Sequence, residues 1–107
     1  MTTVVVVDEA EAQLVEIHEW WVAHRDSAML VLDEFECCVS LLESSPHIGT
    51  RFHRTFVPGV RRLVMRKTSH HVYYLHDEPN EIVYIIAVWG APKSGARFRG
   101  CSRPTNR

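Results

Sequence analysis

The sequence predicts an α+β domain: an N-terminal strand, an α-helical hairpin, then a three-stranded antiparallel meander, with the helices packed on one sheet face. Three observations carry this reading. A β-branched run, Val4–Val7, opens the chain. Two stretches then place apolar residues alternately four and three apart. After Pro46 that period gives way to three short apolar runs separated by turn residues.

The elements follow in order. Val4–Val7 suits a strand because β-branched side chains favour the extended backbone. Asp8, with Glu11 three residues on, has the spacing of a capping box. Ala10, Leu14, Ile17 and Trp21 then form one helix face, which leaves Trp20 off the stripe as a candidate partner contact. This helix should end near His24–Asp26, with Asp26 or Ser27 capping the next. Ala28, Leu32, Phe35, Val39 and Leu42 mark the second helix, which Ser44-Ser45-Pro46 stops. A short connection makes the two an antiparallel hairpin. His47–Gly59 reads as a loop. Val60–Arg66, His70–His76 and Ile82–Trp89 read as strands with hairpin-length gaps. The apolar run Ile82–Trp89 is expected to be the central strand, paired in parallel with the first.

The 107 residues make one domain, expected over residues 1–98, with a basic, flexible tail at 99–107. A chain this small buries one modest core, which disfavours a large cofactor. No motif for a cofactor or a phosphate loop occurs. Of three cysteines, Cys37 and Cys38 are adjacent and Cys101 stands alone, so neither a disulfide framework nor a C-x-x-C zinc site is expected. That usage fits a reduced, cytoplasmic protein. Val4–Val7 is too short for a signal peptide or a membrane span.

Charge is sorted along the chain. Residues 1–50 hold one base, Arg25, against ten acids, whereas residues 51–107 hold eleven bases against Asp77, Glu78 and Glu81. Opposed halves suit a charged partner surface. In the strand after Gly59, Arg61 shares parity with Leu63 and Met65, the core side. Arg62 and Arg66 are expected on the open face, beside Tyr74 or Tyr73 according to register. An arginine beside an aromatic suits phosphate binding and base stacking. His71 is a candidate acid–base group. His70 and His76 lie about 20 Å apart at ~3.3 Å per residue, too far to share a metal, and no metal site is expected. Lys93, Arg97, Arg99, Arg103 and Arg107 make the tail basic.

Several segments together resemble the ParE/RelE superfamily of toxins from type II toxin–antitoxin systems. Ala12–Trp21 is similar to the first helix of ParE-type members, and Leu41–Gly49 to their leucine, proline, glycine helix end. Pro58-Gly59-Val60-Arg61-Arg62, His71-Val72-Tyr73-Tyr74 and Ile85–Trp89 resemble three of their sheet segments. The likeness runs over about residues 3–97 and implies a plasmid-stabilisation toxin neutralised by a cognate antitoxin. It implies no cofactor and no membrane, with oligomers forming only as toxin–antitoxin complexes. For ParE-like members it implies binding of DNA gyrase without chemistry, with Arg61, Arg62, Arg66, Trp89, Lys93 and Arg97 as target contacts. For RelE-like members it implies messenger RNA cleavage on the ribosome, for which Arg62, Arg66, His71 and Tyr74 are the candidate catalytic set. An inactive relic or binding module is the third reading. ParE-type members that read Trp-His-Gly-Ala-Arg differ from Trp89-Gly90-Ala91-Pro92-Lys93 here. The absent histidine argues against the nuclease, and Lys93 or Arg97 stands in for the arginine.

Overall fold

The N-terminal β-branched run folds as β1, Thr3–Val6, in a computed structural model that describes residues 2–24 and 29–90. Helix α1, Asp8–His24, starts one residue after the Val7 amide has donated to Ile85 O at 3.1 Å. The Val7 carbonyl accepts the Glu11 N–H at 2.9 Å. Asp8 therefore opens the helix instead of capping it, and Asp8, Glu9 and Glu11 place negative charge against the helix N-terminal dipole. Helix α2 spans Leu30–Ser44 and closes with the Ser45 N–H on Leu41 O at 2.7 Å. Residues 25–28, with the expected hairpin turn, its caps and Ala28, lie outside the described residues, as do residues 91–107 with Lys93, Arg97 and the tail.

Four further strands follow: β2 Thr50–Arg51, β3 Arg61–Met65, β4 His70–Asp77 and β5 Ile82–Gly90. They form one five-stranded mixed sheet in the order β1-β5-β4-β3-β2. β1 pairs with β5 in parallel, as expected, and the other neighbours run antiparallel. The two-residue β2 adds a strand to the expected meander. It moves the centre of the sheet from β5 to β4, whose residues His71–Tyr74 are all buried.

The helices cover one face. Ala10, Leu14 and Ile17 of α1, and Val31, Phe35, Cys38 and Leu42 of α2, pack on Met65, Val72, Tyr74, Val83, Ile85 and Val88. Trp21, Leu32 and Val39, expected in the core, are only partly buried at its margin. On α2 two apolar rows run side by side, and the row Val31–Phe35–Cys38–Leu42 is the one turned fully inward. Cys37 and Cys38 are both unbridged thiols, and burial pushes Cys38 up to about 11, which keeps it protonated and inert.

Two side chains from the helices tie them to the sheet. β1 ends at Val6, so the β5 edge beyond Ile85 lacks a strand there, and Gln13 Oε1 accepts the Val88 N–H at 2.9 Å. Glu34 is not merely a solvated acid. Its carboxylate accepts from Lys67 N at 2.7 Å, Thr68 N at 3.0 Å and Thr68 Oγ1 at 2.8 Å, holding the β3–β4 turn against α2. No described helix is long and apolar enough to cross a membrane.

Candidate functional site on the open sheet face

Strand parity divides the strong side chains between two faces. Cross-strand partners share a face, so register puts Arg62 with Tyr73 and Ala87, and Val64 with His71 and Trp89. A bulge at Tyr73/Tyr74 opposes Tyr74 to Ile85 and skips Ile86, which joins Ala87 in packing on this side. The result is a second apolar cluster of Phe52, Val60, Tyr73 and Ala87, flanked by Leu75, Ile86 and Trp89, on the face the helices leave open.

Arg62 sits within this cluster. Its guanidinium carbon lies 5.5 Å from the Phe52 ring centre, a cation–π contact, and it hydrogen-bonds Tyr73. Its Nε is buried and has no hydrogen-bond partner among the described residues. Tyr73 packs edge-on to Phe52 at 5.0 Å and tilted against Trp89 at 5.4 Å. The Tyr73 hydroxyl also meets His71 Nδ1 at 3.2 Å. Burial first, then the charges of Arg62 and His70, push the His71 imidazole down to about 4, so it is neutral at physiological pH. Burial raises the Tyr73 phenol above its usual value, against the opposing pull of Arg62.

The structure separates the other candidates from this group. Tyr74 belongs to the opposite face and is fully buried there. Its hydroxyl donates to Pro46 O at 3.0 Å and accepts the Gly49 N–H at 2.8 Å. The bulge and register therefore bring Tyr73, not Tyr74, beside Arg62. Arg61 is half-buried, and its Nη1 donates to Gly49 O at 2.8 Å and His47 O at 3.4 Å. It fastens the loop after α2 to β3. Arg66 falls in the turn beyond β3, which ends at Met65, so it is exposed but not in line with Arg62. Arg62, His71 and Trp89 come together, and Phe52 joins them unforeseen. Its signal was the β-prone trio Thr50-Arg51-Phe52, too short to show alternation.

The fold is shared with several solved structures. The chromosomal ParDE TA system from P. aeruginosa matches with TM-score 0.68 at 18% identity, over 85% of this chain and 97% of that one. The intact E. coli RelBE toxin–antitoxin complex matches with TM-score 0.62 at 15% identity, over 87% of this chain and all of that one. The isolated E. coli RelE toxin gives TM-score 0.59 at 18% identity, over 89% of each chain. No curated protein matches by sequence. The model of the ParE toxin of type II toxin–antitoxin systems, parDE, matches residues 4–93, and the chain belongs to that family.

Proposed function

We propose that this toxin acts by binding a protein target, DNA gyrase, through the open sheet face, with no bond-making chemistry of its own. One observation carries the reading. Arg62, Tyr73 and Trp89 form a contiguous cluster, and the buried Arg62 Nε has no hydrogen-bond partner among the described residues. Arginine, tyrosine and tryptophan are the residues that dominate protein–protein hot spots. The one histidine of the cluster argues the same way. A general base works best with a pKa near the operating pH, and His71 at about 4 is a weak one.

The cognate antitoxin is proposed to cover the helical layer, where Val15, Trp20 and Val22 of α1 are exposed. An amphipathic partner segment would dock on that surface. The module would work in the cytoplasm. The second reading, a ribosome-dependent ribonuclease, draws on the same arrangement: Arg62 as the phosphate cation, with the His71–Tyr73 pair 3.2 Å apart for proton transfer.

Gyrase supercoiling and ribosome-dependent mRNA cleavage, assayed side by side, separate the two. The wild type should block supercoiling, and Arg62→Ala and Trp89→Ala should each weaken inhibition by about tenfold or more. Cleavage of mRNA that is lost in His71→Ala, with supercoiling untouched, would overturn the gyrase reading.

A further inference from the structure

We propose that His47, His76 and Glu78 form a binding site for a divalent transition ion of the zinc class, at the end of the sheet away from the Arg62 cluster. One donor atom from each of the three residues lies within 4.8 Å of the others. His47 Nε2 is 3.4 Å from Glu78 Oε2, and His76 Nδ1 is 3.9 Å from the same oxygen. Metal bonds of ~2.0–2.1 Å at tetrahedral angles set ligand atoms ~3.3–3.5 Å apart, so small side-chain rotations complete the geometry. The two imidazoles meet edge to face, their centres 4.8 Å apart.

A plain surface ion pair accounts for this cluster poorly. The His76 side chain is only 11% exposed, and its Nδ1 is buried without a hydrogen-bond partner among the described residues. At 3.9 Å, Glu78 does not supply one. An ion between them would satisfy the nitrogen and both neighbours at once. His47 and Glu78, 58% and 65% exposed, leave an open side for the ion to enter and for water to complete its coordination. Two imidazoles and one carboxylate suit zinc, which takes four nitrogen, oxygen or sulfur ligands tetrahedrally and accepts water as the fourth. Calcium and magnesium seek six or more oxygens and find one carboxylate here.

The fold holds the three residues together from two separate segments. Tyr74, two residues before His76 on β4, binds Pro46 and Gly49 through its hydroxyl, while Arg61 binds the carbonyls of His47 and Gly49. The backbone around His47 is thus fixed against β3 and β4. Glu78 stands in the β4–β5 turn, closed by the Glu81 N–H on Glu78 O at 3.1 Å and by Asn80 on Asp77 at 2.9 Å. A bound ion would pin the loop after α2 to that turn.

The test titrates Zn2+ into the untagged full chain carrying Cys37→Ser and Cys101→Ser, with the buried, protonated Cys38 left in place. One ion per chain should bind and raise the melting temperature, because it binds only the folded form. His47→Ala removes an exposed loop side chain and should weaken affinity at least tenfold without lowering the melting temperature of the metal-free protein. Glu78→Gln should do the same, and Mg2+ should not compete. Affinity weaker than about 1 mM in the parent chain, or affinity in either variant equal to that of the parent, would overturn the site.

Discussion

Adjacent tyrosines do different work because a strand turns successive side chains to opposite faces. Tyr73 faces the Arg62 cluster, whereas Tyr74 is buried under the helices with both hydrogen-bonding capacities of its hydroxyl used on the Pro46–Gly49 loop. Tyr74→Phe should therefore cost stability, about 1–3 kcal/mol in denaturant melts, and leave target inhibition per folded molecule unchanged. Tyr73→Phe, which also removes the buried contact to His71, should in addition weaken target inhibition per folded molecule. Loss of inhibition in Tyr74→Phe at unaltered stability would show that the faces are assigned the wrong way round. His71 adds a pH dependence. Its imidazole titrates at about 4 in the fold and near 6.5 when unfolded. Between those values the unfolded chain holds a proton that the native chain refuses. Stability is thus complete above about pH 6.5 and falls as pH drops towards 4. Urea melts across that range should show a smaller loss in His71→Gln than in the wild type. His70, also lowered by burial, adds to the slope in both. Equal losses would mean that His71 takes up its proton inside the fold.

At the scale of elements, Glu34 is the side chain whose removal should be felt most for its size. Three donors of the β3–β4 turn converge on its carboxylate. Glu34→Ala should lower stability by about 1–3 kcal/mol, against a change within about 0.5 kcal/mol for Glu36→Ala on the exposed side of α2. Equal, small losses would mean the turn holds without α2. This contact also shows where sequence pattern stops informing. The four–three spacing made both helices legible, and the β1–β5 parallel pairing followed from their place between strands. Periodicity could not choose between the Val31 and Leu32 rows of α2, since both share Phe35 and Leu42 and only packing on the sheet decides. β2 was invisible for a different reason: two residues show no alternation. Its position rests on Gly49, where a Cβ would lie 2.6 Å from the Tyr74 hydroxyl and 2.8 Å from Arg62 O. That close approach carries Phe52 to the open face. For the site, Arg62, His71 and Trp89 could be read from parity and motif, but the choice of Tyr73 required the register, and His47 meeting His76 required the tertiary fold.

At the scale of the whole fold, the division of charge along the chain becomes, among the described residues, a division in space. The acids of the first half decorate α1 and α2, with Glu9, Glu11, Glu16, Glu19, Asp33 and Glu36 exposed. Exposed Arg51, Arg54, Arg66 and Lys67 lie in or beside β2 and β3, at the sheet edge remote from β1. A small protein polarised in this way orients in the field of a charged partner before contact, which raises the association rate more than the final affinity. Screening shortens that field to ~8 Å at physiological ionic strength, so the effect fades with salt. If the proposed target is met by the basic edge and the Arg62 face, association should slow as salt rises while dissociation changes little. Arg54→Glu with Lys67→Glu should lower the association rate at low salt about tenfold, and the gap to the wild type should close at high salt. Glu9→Lys with Glu16→Lys, on the opposite layer, should leave the rate unchanged or raise it. Surface plasmon resonance on immobilised gyrase, run across a salt series with circular dichroism as the fold control, measures each rate. A fall in association for the helix pair and none for the basic pair would put the target on α1, and the open sheet face would lose its role.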